Sequence, residues 1–385
     1  MTFSSKPAVP DAPGGCWECS PLLRTGKGGV QRVSASVEGR EIWFEAEGAE
    51  LLPLPEVLAT LLLIPALHFG ARVRIDAALD EAWLTNTTRL LPILARWWDY
   101  PQVHPIDCAG RAAPSGPRSA RTGLCFTGGA DSFHSLLRGP SQPDCLVYVH
   151  GFDVSLRDRR RSDAIEGSLR EVARVCGKEL LLVRSNLRQH PIYAAINWER
   201  THGAALVAVG QLLCAAIGRI VVPSSWSYQD DIPWGSTWET DPLWSTSRLD
   251  VVHDDATWRR RDKVPQIAAE PLVQQHLRVC WENRAPVGNC SRCEKCLRTM
   301  VMLAACGQLG SYRVFDTATP LARLVDGISS LSEHIRPCWR YFLDCDLEPP
   351  VKAAIARLLA RSERGPRPRV WARLRDRARG WAGTG

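Results

Sequence analysis

The stretch Phe126-Thr127-Gly128-Gly129-Ala130-Asp131-Ser132 decides how this chain is expected to fold. Its first residue, Phe126, ends a short apolar run that is typical of a strand. Asp131 begins a run that predicts a helix over 131–137. Two adjacent glycines let backbone N–H groups converge on an anion, and a helix N-terminus adds free N–H groups and a positive dipole end. The stretch therefore predicts a phosphate-binding loop, with hydroxyl donors at Thr127 and Ser132; the alternative is a glycine-rich turn with an ordinary helix cap.

Outward from the loop, apolar runs of strand length alternate with longer helical patterns. Predicted strands cover 123–126, 145–149, 180–183 and 219–222, and predicted helices cover 131–137, 162–176 and 203–217. Such alternation is typical of βαβ units and a parallel sheet. The sequence therefore predicts an α/β fold with a doubly wound, mostly parallel sheet.

The loop resembles the PP-loop, S-G-G-x-D-S/T, of the N-type ATP pyrophosphatases, with Thr127 at the position of the first serine. The resemblance implies an adenine nucleotide α-hydrolase-like fold of the HUP type and cleavage of ATP to AMP and pyrophosphate. It implies that Mg²⁺-bound pyrophosphate is held by the loop, in which Asp131 and Ser132 are catalytic. The residues expected to bind it are Thr127, Gly128, Gly129, Ala130, Asp131 and Ser132.

Two further strand ends are expected to line the nucleotide crevice. In a doubly wound sheet the carboxyl ends of the strands border the ligand, and the second and third strands are followed by His150 and Ser185. The resemblance implies that adenine and ribose lie here. An ordinary turn histidine is the alternative for His150.

A downstream segment supplies the candidate cation. Asp241-Pro242-Leu243 followed by Arg260–Ile267 resembles the "P-L … K-x-E-I" segment of several PP-loop enzymes, in which the lysine approaches the ATP phosphates. Lys263 is therefore expected to be catalytic, because a fixed ammonium stabilises the charge that accumulates on leaving pyrophosphate. The alternative is a solvated basic helix start.

Four cysteines, Cys280-x9-Cys290-x2-Cys293-x2-Cys296, form the most specific signal in the chain. Four thiolates at this spacing can close a tetrahedral Zn²⁺ site with no open position, which predicts a structural role; an iron–sulfur cluster is the competing interpretation. A PP-loop followed by this spacing resembles the 7-cyano-7-deazaguanine synthase family over about 122–305. Cys16-x2-Cys19 has no second ligand pair nearby and predicts incidental thiols.

The resemblance implies an ATP-dependent ligase that adenylates a carboxylate or carbonyl oxygen of a small molecule, with AMP and pyrophosphate as products, and transfers a nitrogen nucleophile. Two alternatives stay open: a sulfur donor with the same activation, and a nucleotide-binding subunit without turnover in a defence or regulatory assembly. The expected cofactors are ATP, Mg²⁺ and Zn²⁺, and the expected partner is a small-molecule acceptor.

The predicted organisation has five parts: a disordered N-terminus (1–20), a small α+β domain (21–110), the PP-loop domain (121–270), a zinc-binding helical portion (271–360) and a basic tail (361–385). The α+β part contains a predicted hairpin over 30–46, a helix over 54–68, a strand over 71–76 and a helix over 80–97. Residues 223–262 carry five tryptophans and predict a long irregular connection. Within it, His253-Asp254-Asp255 is either a Mg²⁺ or amine site or an ordinary polar loop.

Composition limits the class of protein. The chain has 385 residues and a net charge of +7, of which +6 comes from eight arginines and two acids within 361–379. The body is therefore nearly neutral, which disfavours a nucleic-acid partner except at the tail. No signal peptide or membrane span is predicted, and 14 cysteines without an export signal indicate reduced thiols or metal ligands. We expect a cytoplasmic protein, for which a homodimer is compatible with the sequence.

Overall fold

The computed structural model describes residues 15–113, 116–230 and 232–363. These residues form two compact units. The first holds the described residues of Met1–Arg278 together with Pro286–Gly288, and the second holds those of Val279–Ala285 and Asn289–Gly385.

Eleven strands occur in the described residues, all in the first unit. They are β1 (Cys16–Trp17), β2 (Leu23–Lys27), β3 (Val30–Val37), β4 (Arg40–Glu47), β5 (Arg72–Asp80), β6 (Ile106–Ala112), β7 (Thr122–Cys125), β8 (Cys145–His150), β9 (Glu179–Ser185), β10 (Arg219–Pro223) and β11 (Asp250–Asp254).

Twelve α-helices occur in the described residues of the two units. They are α1 (Pro55–Phe69), α2 (Glu81–Trp98), α3 (Ala130–Leu137), α4 (Arg159–Val175), α5 (Pro191–Ala195), α6 (Trp198–Leu212), α7 (Arg260–Ile267), α8 (Pro271–His276), α9 (Glu294–Ala305), α10 (Leu321–Asp326), α11 (Arg336–Tyr341) and α12 (Pro349–Glu363). Among the described helices, none is long and apolar enough to cross a membrane.

The large sheet has eight strands in the order β11-β10-β7-β8-β9-β4-β3-β2. The five strands from β11 to β9 are parallel, and β4, β3 and β2 continue the sheet in antiparallel pairing. The predicted α/β fold with a mostly parallel sheet is confirmed. Three more strands form a separate parallel sheet in the order β1-β5-β6.

Successive side chains of a strand point to opposite sides of the sheet, so both faces of the parallel strands carry apolar side chains, and helices cover both. Val147 and Val149 of β8 lie in one core with α1 and α6. On the other face, Phe126 packs edge-to-face on Phe133 of α3, with ring centroids 5.0 Å apart. The chain runs from β7 outward to β8 and β9, then returns through α6 to β10 on the opposite side of β7. The strand order therefore reverses between β7 and β10.

The predicted hairpin, helices and strand of the 21–110 segment are confirmed as β3, β4, α1, β5 and α2. However, β4 pairs with β9 through partners such as Phe44 and Ser185, so this segment extends the same sheet as the 121–270 segment. Both segments lie in the first unit, and so does α8, which begins the predicted 271–360 portion. The pairing of β4 with β9 therefore joins the 21–110 and 121–270 segments, and amino-acid composition does not reveal such a pairing.

Two predictions of irregular structure were wrong. Cys16–Trp17, placed in the disordered 1–20 segment, is strand β1, because Trp17 is buried in the core and pairs with Val73. The tryptophan-rich connection contains β11, which pairs along its length with β10 because Val251 is buried in the core. The predictions for residues 1–14 and for 364–385 of the basic tail lie outside the described residues.

Candidate functional site

The glycine loop joins β7 to α3 at the carboxyl edge of the parallel strands. Gly128 has a φ of +73°, a left-handed conformation that favours glycine, and Gly129 stands at the N-cap of α3. The first-turn N–H groups of an α-helix have no partner within the helix, so the bend and the helix start present donors together. Because β7 and β10 flank the reversal of strand order, the loop stands where open α/β sheets bind ligands.

Contacts within the loop specify its shape. The Ser132 hydroxyl, which is buried, donates to the Gly129 carbonyl oxygen at 3.0 Å. The backbone N–H of Arg278 donates to the Gly128 carbonyl at 2.7 Å. Thr127 and Asp131 are partly exposed, whereas Gly128 is buried. The loop therefore has one covered side and one side that solvent reaches. The Ser132 hydroxyl is engaged in a hydrogen bond within the loop.

Asp131, in the first turn of α3, forms an ion pair with Arg260, the first residue of α7. The Nε atom of Arg260 lies 3.0 Å from Oδ1 of Asp131, and both side chains are largely buried. The sequence segment that singled out Lys263 contains Arg260 as well, but nothing in its spacing shows which cation reaches the loop. The structure brings Arg260 to the loop carboxylate.

Lys263 lies one turn further along α7 and is fully buried. Its ammonium donates to the backbone carbonyl of Ser224 at 3.0 Å and to the Ser224 hydroxyl at 2.6 Å. Burial lowers the pKa of Lys263, and the carboxylates of Asp131 and Asp255 oppose that shift. Lys263 therefore links α7 to the end of β10 beside the loop, rather than lying on a solvated basic surface.

His134, which the sequence reading did not single out, connects α3 to two other segments. Its Nδ1 lies 2.8 Å from Oδ2 of Asp255, and its Nε2 lies 3.2 Å from Oε1 of Gln266. Burial lowers the pKa of His134, against its hydrogen bond to the Gln266 oxygen and the charge of Asp255. Asp255 has a φ of +60°, which turns the chain sharply after β11 and directs its carboxylate at α3.

His150 and Ser185 lie at the carboxyl ends of β8 and β9, as the sheet topology requires. His150 pairs through Nε2 with the Ser162 hydroxyl, and the Ser185 hydroxyl accepts from the backbone N–H of Leu187 at 3.1 Å. Burial lowers the pKa of His150. Both side chains are buried and engaged within their own connections; their role toward a nucleotide stays a prediction.

The run His253-Asp254-Asp255 is divided among three partners. His253 Nδ1 lies 2.8 Å from Asp241, Asp254 accepts from the Ser141 hydroxyl at 2.8 Å, and Asp255 pairs with His134. The three side chains are therefore not gathered into one cation site.

The four predicted metal ligands come together in the second unit. Their sulfur atoms all lie within 4.8 Å of one another, and all four cysteines are buried. Cys280 and Cys293 sulfurs are 4.0 Å apart, and Cys290 and Cys296 sulfurs are 3.9 Å apart. Sulfurs about 2.3 Å from a tetrahedral Zn²⁺ would be roughly 3.8 Å apart. The cluster therefore has the dimensions of a metal site; the identity of the metal is a matter for proposal.

Backbone groups support the cysteine cluster. N–H groups of Cys293 and Cys296 point at the sulfurs of Cys290 and Cys293, at 3.2 and 3.4 Å. The Asn289 side chain accepts from the N–H groups of Val279 and Cys280, which orients the segment that carries the first cysteine. The thiols of Cys293 and Cys296 lower the pKa of Cys280 by donating to its sulfur. Donors aimed at sulfur stabilise thiolates, the form that binds metal.

Cys16 and Cys19 differ from the four clustered cysteines in exposure and in position. Cys16 is exposed, and burial together with the Glu38 charge raises the pKa of Cys19 to about 12. Neither belongs to the metal-competent group found among the described residues. The interpretation of this pair as incidental thiols stays a prediction.

No protein-family model matches this chain, and neither the curated proteins nor the solved structures give a significant match.

Proposed function

We propose that this protein is an ATP-dependent ligase of the PP-loop type, with a HUP-type nucleotide domain. It would adenylate a small-molecule carboxylate and pass the activated acyl group to a nitrogen nucleophile. The observation that carries the proposal is the glycine bend at the switch point between β7 and β10, continuous with the N-terminus of α3. A bend of this kind at that edge of a doubly wound sheet is an anion site for nucleotide phosphates.

The sheet order supports the HUP assignment. Strands β9, β8, β7, β10 and β11 are parallel and follow one another in space in that order, with the loop after the central strand. Two crossovers to one side and a return to the other produce this order, which suits a mononucleotide bound over β7 and β8. The adenosine would then lie toward His150 and Ser185, and the outer phosphates at the loop.

The proposed first step forms one bond and breaks one bond. A carboxylate oxygen of the acceptor attacks the α-phosphorus of ATP, and the bond from that phosphorus to the α–β bridging oxygen breaks. Pyrophosphate leaves against the loop, and AMP stays attached to the acceptor as an acyl adenylate. The loop N–H groups and nearby cations would stabilise the charge that develops on the departing oxygens.

Arg260 is the better candidate than Lys263 for meeting the phosphates. Its guanidinium lies on Asp131 in the loop, and a guanidinium binds two phosphate oxygens at once. Lys263 is fully buried and donates twice to Ser224, so its charge would act from behind the site and hold α7 in position.

Asp131 is the side chain that would hold Mg²⁺ with the pyrophosphate. A partly exposed carboxylate beside the phosphate oxygens suits the oxygen ligands that Mg²⁺ prefers. Arg260 neutralises this carboxylate here, so ligand binding would exchange one partner of Asp131 for another. The metal would supply charge neutralisation on the leaving group.

For the cysteine cluster we propose Zn²⁺ in a structural role. Four buried thiolates leave no open coordination position, and the Asn289 contacts tie the cluster to the turn before α9. An iron–sulfur cluster is the competing occupant, and metal analysis with visible absorption decides between them.

The donor could also be sulfur, with the same activation. Cys125, at the end of β7, is the cysteine next to the loop in sequence, and burial raises its pKa to about 12. A thiol with that pKa is a poor carrier of a persulfide. The contact of Arg260 with Asp131 also suits a subunit that binds nucleotide without turnover. Assays with ammonium, with sulfide and without a donor separate these alternatives.

The deciding experiment measures release of labelled pyrophosphate from ATP, with a panel of carboxylic acids and ammonium. We expect release that needs an acid, and a loss of at least about 100-fold in Asp131→Asn. Asp107→Asn is the matched control, because Asp107 also pairs with an arginine but lies on exposed β6. Tight nucleotide binding without release supports the non-turnover subunit. Equal activity in Asp131→Asn contradicts the loop assignment.

We propose a cytoplasmic location, supported by the 14 cysteines, none of which forms a disulfide. A homodimer and a nucleic-acid contact of the basic tail stay predictions.

A further inference from the structure

A cavity of about 260 Å³ lies in the first unit beside the tryptophan-rich connection. Four aromatic side chains line it: Trp97 at the end of α2, and Trp226, Tyr228 and Trp238 from the connection. Tyr228 is 56% exposed and Trp238 is 43% exposed, a cost in free energy unless a ligand covers them. The volume suits a small molecule or one group of a larger one, and is too small for a whole nucleotide.

The rings form a corner rather than a slot. Tyr228 and Trp238 meet at 67° with centroids 5.4 Å apart. A flat ligand needs two near-parallel faces to stack on both sides. A compact, rounded group can contact both walls of a corner, as cations do in aromatic cages.

The charged residues in the lining are two acids, Asp230 and Glu239, and Arg96, so the lining has a net charge of −1, which favours a cation. The carboxylates of Asp230 and Glu239 border the cavity, and aromatic faces add negative potential. Burial raises the pKa of Asp230, but hydrogen bonds from Ser227 and Arg259 outweigh it and hold that pKa below its usual value, so the group stays ionised. Glu239 pairs with Arg96 at 2.7 Å, and the guanidinium of Arg96 lies 5.8 Å from the Trp97 ring centre. The Arg96 guanidinium is therefore a cation of the chain itself that contacts Glu239 and Trp97 in the cavity wall.

The cavity is connected to the loop by neighbouring residues. Arg259 pairs with Asp230 of the cavity wall, and the next residue, Arg260, pairs with Asp131 of the loop. Trp226 follows β10 two residues after Ser224, which binds Lys263. The cavity therefore lies on the β10 side of the loop, opposite the β8 side proposed for adenosine.

We propose that this cavity binds the ammonium group of an organic amine, and that this amine is the nitrogen nucleophile of the reaction. The second part rests on the proposed function. The ammonium loses one proton to water, its nitrogen bonds to the carbonyl carbon of the acyl adenylate, and the bond from that carbon to the AMP oxygen breaks. AMP departs with the electron pair, and the nitrogen loses a second proton to water, giving an amide.

The test is a calorimetric titration of the full chain, without ATP, using choline and its neutral isostere 3,3-dimethyl-1-butanol. We expect choline to bind at least about 10-fold more tightly, because a desolvated cation on aromatic faces gains that much. Ethanolamine, an ammonium that can become a nucleophile, should displace choline. Equal binding of the two probes, or no binding of either, overturns the proposal.

Variants locate the binding. Trp238→Ala should weaken choline about 10-fold, whereas Trp258→Ala should leave it unchanged, since Trp258 is 45% exposed in the same connection but does not line the cavity. Glu239→Gln should weaken binding, and Arg96→Gln should strengthen it by removing the competing cation. An equal loss in Trp238→Ala and Trp258→Ala contradicts the assignment of the cavity.

The two proposals fail separately. Choline binding without pyrophosphate release in any assay would leave the cation cavity standing and end the ligase proposal. Acid-dependent pyrophosphate release with no selectivity for choline would leave the ligase standing and end the cavity proposal.

Discussion

The cysteine cluster and the glycine loop site are built in different ways. All four cysteines lie between 280 and 296, and backbone N–H groups of the same segment point at their sulfurs. The loop site gathers Asp131, Ser224, Asp255 and Arg260 from four separate segments of one sheet and its helices. The first is contained in one short stretch of chain that could hold a metal; the second needs the completed sheet. Damage to each should therefore have a different signature.

The largest effect is expected at the cysteines. Cys293→Ser should lose the metal and unfold the second unit, because structural zinc supplies about 10 kcal/mol or more of folding free energy. Metal content by mass spectrometry and helicity by circular dichroism would follow both losses. Cys306→Ser is the control, since Cys306 is a partly buried cysteine at the end of α9 outside the cluster. A metal-free Cys293→Ser variant with full helicity would contradict the structural role.

At the loop the expected damage is catalytic rather than structural. Arg260→Gln should lower the rate of pyrophosphate release by about 100- to 1,000-fold, because one aligned donor is worth about 3–4 kcal/mol in a transition state. Its melting temperature should fall only slightly, because the glutamine amide can still donate to the Asp131 carboxylate, a side chain that is 16% exposed.

Lys263→Ala gives the opposite balance. It should cost about 2 kcal/mol of stability, because it leaves the Ser224 carbonyl without a buried donor and opens a cavity. If Lys263→Ala instead lowers the rate more than Arg260→Gln does, the division of roles between the two residues is wrong.

A glycine at the sheet edge tests how closely β8 and β9 must approach. A Cβ on Gly151 would lie 2.0 Å from the Ser185 carbonyl oxygen, and its φ is +105°. Gly151→Ala should therefore cost about 2–3 kcal/mol in denaturant unfolding. Gly177 also has a positive φ, +63°, in the ordinary left-handed region and with open space around it, so Gly177→Ala should cost about 1 kcal/mol. Equal costs would show that the close approach is unimportant.

The smallest effect is a pH dependence. Burial lowers the pKa of His190 below its ordinary value of 6.5, so the folded state binds its proton less readily than the unfolded state. The stability from neutral His190 is present above pH 6.5 and is lost as the pH falls from there toward the folded pKa. His190→Gln should reduce that loss of stability at low pH. An unchanged pH profile of unfolding would contradict a neutral buried His190.

Sequence patterns predicted the local features well and the assembled ones poorly. The loop, its flanking strand and helix, and the cysteine cluster depend on neighbouring residues, so spacing reveals them. The partnership of Asp131 with Arg260 spans distant segments, and only the packing of α7 against α3 selects Arg260 over Lys263. Strand β11 escaped prediction because polar residues surround Val251 and Val252 in the sequence. The shared sheet followed from edge pairing of β4 with β9, which hydropathy does not specify.

One structure tests the central claim most directly: a crystal structure of the protein with Mg²⁺ and α,β-methylene-ATP, which cannot be cleaved at the α–β bridge. We predict the β- and γ-phosphates on the N–H groups of Gly128–Asp131, with Arg260 moved from Asp131 to the phosphates. Nucleotide bound at another place, or a loop without nucleotide at saturating concentration, would contradict the account.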